Sequence, residues 1–157
     1  MIKILSAVLL SLVVAAPLVG HAQTATDPND LAQLRTAAKT DKRALVATTL
    51  ALTDAEAKKF WPIYDTYQRA RDAADRQKVR AIESVIATDK PVSDAFARDL
   101  AKDLTGADEA EVKARRAMQN KLMRALPAKK AFRYLQLESK LRAVQAYDVA
   151  SAMPLIK

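Results

Sequence analysis

The chain has no cysteine, one histidine and two glycines in 157 residues. Without cysteine no disulfide can form, and no thiolate is available as a nucleophile or metal ligand. His21 and Gly20 both fall within the first 22 residues, and those residues read as a secretory signal. Lys3 is a positive n-region, Ile4 to Val19 a short apolar h-region interrupted by Pro17, and Gly20-His21-Ala22 a small-residue cleavage site. Cleavage after Ala22 leaves 157 − 22 = 135 residues with no cysteine, no histidine and a single glycine, Gly106. The h-region is too short for a comfortable membrane span, and no other apolar run approaches that length. One lone glycine makes no phosphate loop. Serines such as Ser93, Ser139 and Ser151 have no histidine base. Asp108, Glu109 and Glu111 lie in a polar stretch where ion pairing and hydration predict unshifted pKa values. The sequence therefore predicts an exported protein that is no enzyme and takes no metal, cofactor or nucleic acid.

What is present is helix-forming composition: alanine, leucine, lysine, arginine and aspartate dominate. Residues 23–29 read as a disordered lead-in, and 30–157 as one all-α domain of four helices. Asn29 or Asp30 can cap a first helix running to about Ala51, with Leu31, Leu34, Ala38, Leu45, Val46 and Leu50 on roughly one face. Thr53-Asp54-Ala55-Glu56 forms a capping box for a second helix to about Ala87. Its stripe is Phe60, Tyr64, Tyr67, Arg71, Ala74, Lys78, Ile82 and Val85, the two basic members packing through their stems. Pro62 lies inside it and predicts a kink. Ser93 or Asp94 caps a third helix, with Phe96, Leu100, Leu104, Ala107, Ala114, Met118, Leu122 and Ala125 in phase across Gly106. Pro127 suits the first position of a fourth helix to about Ala150, its apolar positions including Phe132, Leu135, Leu141, Val144 and Val149. Met153 to Ile156 reads as an apolar tail tucked against the body. Short turns between long helices predict an elongated, kinked antiparallel hairpin, which exposes apolar surface unless it dimerises or binds something.

Lysine and arginine number 26 against 18 acids. Pairs at helical spacing (Asp54–Lys58, Asp65–Arg69, Asp72–Arg76, Asp94–Arg98, Glu109–Lys113, Glu111–Arg115, Glu138–Arg142) predict surface support for the helices. From Asp89 to Glu111 there are seven acids and three bases; from Val112 to Arg142 there are ten bases and one acid, Glu138. Two readings stand. The bases complement the dipole of the third helix and neighbouring acids, or they form an electropositive surface for an anionic partner. The candidates are Lys113, Arg116, Arg124, Lys129, Lys130 and Arg133.

Phe60-Trp61-Pro62-Ile63-Tyr64-Asp65-Thr66-Tyr67 holds four of the eight aromatic residues. It reads either as core or as a groove lined by Trp61, Tyr64 and Tyr67 for a peptide or partner helix. Leu52-Thr53-Asp54-Ala55-Glu56 resembles the first repeat of the LTxxQ-motif family of periplasmic proteins (Spy- and CpxP-like). Leu126-Pro127-Ala128-Lys129-Lys130 falls where the second repeat would lie. Glu56 stands in place of the first Gln, and Pro127 and Lys130 in place of the second Thr and Gln. The resemblance implies a thin kinked hairpin that dimerises into a curved cradle with a basic concave side. It implies a periplasmic location and, as partners, either unfolded polypeptide clients held without ATP or one envelope sensor protein. An anionic surface such as lipid headgroups or lipopolysaccharide is a further candidate partner for the basic block.

Overall fold

A computed structural model describes residues 30–88 and 90–156; the signal segment, the lead-in and Asn29 lie outside the described residues. The fold is all-α: α1 (Leu31–Leu50), α2 (Asp54–Ile86), α3 (Asp94–Ala125) and α4 (Ala128–Ala152).

The starts of α1, α2 and α3 follow from side-chain capping chemistry. Asp30 caps α1, its Oδ1 accepting from the N–H groups of Ala32 and Gln33 at 2.9 and 3.1 Å. The Thr53–Glu56 capping box closes in both directions, the Thr53 N–H donating to Glu56 Oε2 at 2.8 Å and the Glu56 N–H to Thr53 Oγ1 at 3.3 Å. Ser93 caps α3 through its hydroxyl. Pro127 stands at the cap of α4 rather than inside its first turn, and no side-chain hydrogen bond caps this helix.

α2 continues through Pro62 and α3 through Gly106. Among the described helices, non-helical torsions fall in α1, at Asp41 (φ −157°, ψ 88°). The carboxylate of Asp41 accepts from the Ala44 N–H at 2.9 Å and so caps the restart of the helix. α1 ends at Ala51 in the left-handed region (φ 44°), an uncommon place for a residue with a Cβ.

The pairings set the order up-down-up-down. Arg43 meets Asp65 and Lys42 meets Gln68, so α1 and α2 are antiparallel. Gln77 donates to the Asp103 carbonyl across α2 and α3. α4 runs parallel to α2, with Gln68 reaching Tyr134, Arg71 reaching Glu138 and Gln145 reaching Asp75. α2 packs most extensively on α3, and α1 on α4; α4 touches α3 sparingly.

The main core fills the end of the array that carries the α1–α2 and α3–α4 turns. Leu34, Leu45, Val46 and Leu50 of α1 meet Phe60, Tyr64 and Tyr67, Met118 and Leu122, and Ala131, Tyr134, Leu137 and Leu141. Phe60 lies edge-on to Tyr134 with ring centroids 5.1 Å apart. Farther along, the buried residues of α2 and α3 shrink to Ala74, Ala81 and Ala107, accompanied by Ile82 and the charged Arg71 and Glu111.

Two expectations are corrected. Phe132 is 56% exposed, because the inner stripe of α4 is Ala131, Tyr134, Leu137, Glu138 and Leu141, and Phe132 sits a third of a turn away from it. The tail does not tuck in: Met153 is half-buried, Leu155 is 96% exposed and Ile156 is exposed.

Gly106 needs no glycine. A Cβ there would meet Gln77 Nε2 at 3.8 Å, an ordinary contact. Gly106→Ala is therefore expected to stabilise the fold by about 1 kcal/mol through helix propensity. Urea unfolding followed by circular dichroism measures this, and a loss of stability would contradict a continuous α3.

Candidate functional site

Three arrangements bring together the residues that the sequence singles out. The first joins the two motif patches. Lys130 Nζ donates to Glu56 Oε2 at 2.6 Å and to the Ala51 carbonyl at 2.9 Å. Leu126 is buried and Leu52 packs half-buried on the same core. Hydrogen bonds from Lys130 and from the Thr53 backbone hold the Glu56 carboxyl below the usual carboxylate range. The patches thus latch the α1–α2 turn to the start of α4. Lys130 is engaged in the fold, unlike its exposed neighbours Lys129 and Arg133.

The second is the aromatic arc. Tyr64 and Tyr67 are core residues and offer no surface in this arrangement. Burial, reinforced by the charge of Glu138, pushes the Tyr64 hydroxyl up to about 12 and raises that of Tyr67 further. Trp61 is half-buried. Its ring stands edge-on to Phe60 and Tyr64, and the Arg43 guanidinium covers it at 4.0 Å from the ring centroid. Asp65 anchors that guanidinium at 2.6 Å. A cation–π cover of this kind closes the outer face of the indole.

The third arrangement was not foreseen from the sequence. Glu138, 1% exposed, accepts from Arg71 Nη1 at 3.0 Å and lies 3.4 Å from Lys42 Nζ. Arg71 also reaches Asp75 at 3.5 Å. Farther along α2, Lys78 pairs with Asp108 at 2.7 Å and Glu111 at 3.2 Å, and Arg142 pairs with Glu111. Glu111 and Glu138 were expected to pair along their own helices with Arg115 and Arg142. They turn inward instead and join different helices. Of the seven helical pairs expected, Asp94–Arg98, at 4.0 Å, is the one that forms among the described residues. Glu111 is also desolvated, contrary to the polar surroundings expected for it. Burial pushes its pKa up, but hydrogen bonds and charge from Arg142 and Lys78 outweigh burial and hold it below the usual range. For Lys42 the balance is reversed: burial lowers it, and Glu138 restores only part. The available signal was the stripe on α2, where Arg71 and Lys78 occupy inward positions.

Above these pairs lies an open cleft of about 440 Å³. Arg71, Lys78, Glu111 and Arg142 line its charged side; Leu104, Val149, Met153 and Leu155 line its apolar side. On the far flank of α3, Lys113, Arg116 and Val112 border a shallower cleft that shares Asp108 with it. Arg124, Lys129 and Arg133 are exposed at the α3–α4 corner. The aromatic arc and the basic block therefore do not line one concavity. Among the described residues no group of three or more His, Cys, Asp or Glu could hold a metal ion, and no helix is long and apolar enough to cross a membrane.

Removing Glu138 takes a carboxylate partner from buried Arg71 and from half-buried Lys42. Glu138→Ala is expected to destabilise the fold by about 3–5 kcal/mol in chemical denaturation. Glu111 gives a pH signature. Its folded pKa is depressed, so its contribution is complete above its ordinary value of 4.5 and drains away as the pH falls through the lower folded value. Glu111→Gln should flatten the loss of stability in that acid window, and an unchanged acid slope would contradict the pairing.

Compared with known proteins, no family model, curated protein or solved structure matches the chain, and the reading of the site rests on its own geometry.

Proposed function

We propose that this is a non-enzymatic periplasmic protein that holds unfolded or partner polypeptides without ATP, as the LTxxQ-like patches imply. The observation that carries this reading is the cleft between α2, α3 and the end of α4. Its charges are satisfied by one another, so no group in it demands a charge from a ligand. What it offers is an apolar wall open to solvent, with Leu155 almost fully exposed. Such a surface suits apolar segments of varied sequence better than one defined small molecule. It also suits catalysis poorly: the Glu111 carboxyl is held below the usual range, the opposite of a base poised near neutrality. Lys113 and Arg116 beside the neighbouring cleft supply long-range attraction for acidic clients, while apolar contact keeps hold in salt.

The test is light scattering by a chemically denatured client diluted into buffer with the protein and no nucleotide. Aggregation should fall as the protein reaches a few-fold molar excess, and no protection at that ratio sinks the reading. Leu155→Asp changes an exposed residue and should leave the melting temperature within about a degree or two, as expected for a surface substitution. It should weaken protection several-fold.

A further inference from the structure

We propose that the corner between α3 and α4 is a docking surface for an anionic lipid bilayer. Between Glu111 and Glu138 the chain carries eight lysines and arginines and no acid. The fold consumes some of them: Lys130 holds Glu56 and the Ala51 carbonyl. Lys121, Arg124, Lys129 and Arg133 are exposed, and no carboxylate pairs with them among the described residues. Their potential is therefore left uncancelled at close range.

Two apolar side chains project among these bases. Phe132 is 56% exposed and Met123 43% exposed. Phe132 and Arg133 lie three and four residues after Lys129, so all three share one face of α4. Lys121 and Arg124 are likewise three apart on α3. The turn at Leu126-Pro127 brings the ends of both helices to one end of the molecule. Stability alone would not write this sequence. The first turn of α4 carries Lys129 where the helix dipole favours acids; unlike Lys130 it has no carboxylate partner among the described residues, and no side chain caps the helix. Local choices that work against the fold mark functional positions.

The shape selects the partner. A single phosphate needs donors converging on one point, whereas these bases are exposed and spread over two helices. An acidic peptide would be gripped best by a groove, and Phe132 projects outward. An extended anionic plane into which an aromatic ring can sink satisfies both the bases and the exposed apolar groups. The surface differs from the proposed polypeptide cleft, so each can fail without the other.

The experiment is co-sedimentation of the full-length protein, purified as the cell processes it, with vesicles. One set contains equal parts phosphatidylglycerol and phosphatidylcholine; the other contains phosphatidylcholine alone. Binding is expected only to the anionic vesicles and should fall steeply when salt is raised from about 0.05 M to about 0.5 M. Lys129→Gln with Arg133→Gln should reduce the partition coefficient about 30-fold, at roughly fivefold per cation near a membrane surface. Phe132→Ser should reduce it several-fold while retaining the salt dependence. Arg76→Gln with Arg80→Gln, exposed bases on α2, should leave it within twofold, and circular dichroism verifies that each variant is folded. Equal binding to both vesicle types overturns the proposal, as does an unchanged partition coefficient for the Lys129/Arg133 variant. Capture of soluble polyglutamate without binding to anionic vesicles also overturns it, assigning the patch to acidic polypeptides.

Discussion

A buried carboxylate on α4 decides how the helices assemble. Glu138 is the point at which Lys42 of α1 and Arg71 of α2 converge, with Gln68 and Asp75 as their further partners. Taking charges out of water is expensive, and mutual pairing offsets that expense only when geometry is fixed. The register of α4 against α2 is thereby set: one residue of slip would separate the guanidinium from the carboxylate. Tyr134 and Leu137, neighbours of Glu138 on the inner stripe, then fall into the apolar core. The second ionic group, around Glu111, repeats the device farther along with α2, α3 and α4.

This ionic layer divides the molecule into two materials. On one side is a dry core of aromatic and aliphatic side chains contributed by all four helices. On the other, alanines replace large residues on α2 and α3, and α4 touches α3 little. Small side chains on α2 and α3 do not reach across to the end of α4. The open cleft is the geometric result, with paired charges beneath it and the uncovered tail at its edge.

Much of this was legible from the sequence. The caps at Thr53 and Ser93, the continuity of α3 and the inward stripe of α2 followed from side-chain chemistry and period. Local rules suffice there because each signal lies within four residues of what it specifies. The pairing of charges was not legible in the same way. Glu111 and Glu138 have arginines four residues on, and helical spacing alone cannot show that a stronger partner waits on another helix. The outward turn of Phe132 was hidden for a related reason: α4 offers apolar residues on several faces, and only its contacts with α1 and α2 select Tyr134 as the inner aromatic. Of the candidate site, the basic block was visible as composition. Its division into Lys130, engaged in the fold, and its exposed neighbours is a tertiary fact.

The interruption of α1 at Asp41 has a consequence for how the molecule comes apart. The backbone ladder of a helix transmits rigidity only while it is continuous, and here it stops and is capped anew. Residues 31–40 are tied down mainly by Leu34 and by Arg35 with Asp148, above a small void of about 230 Å³ beside Leu141 and Val144. The second half is sealed into the core by Leu45, Val46 and Leu50. α1 is thus divided at Asp41 into a leading half with Leu34 as its buried anchor and a trailing half with Leu45, Val46 and Leu50. With fewer buried side chains, the leading half is the part of α1 expected to open at the lowest cost, and its opening would expose the flank of α4 around Leu141 and Val144.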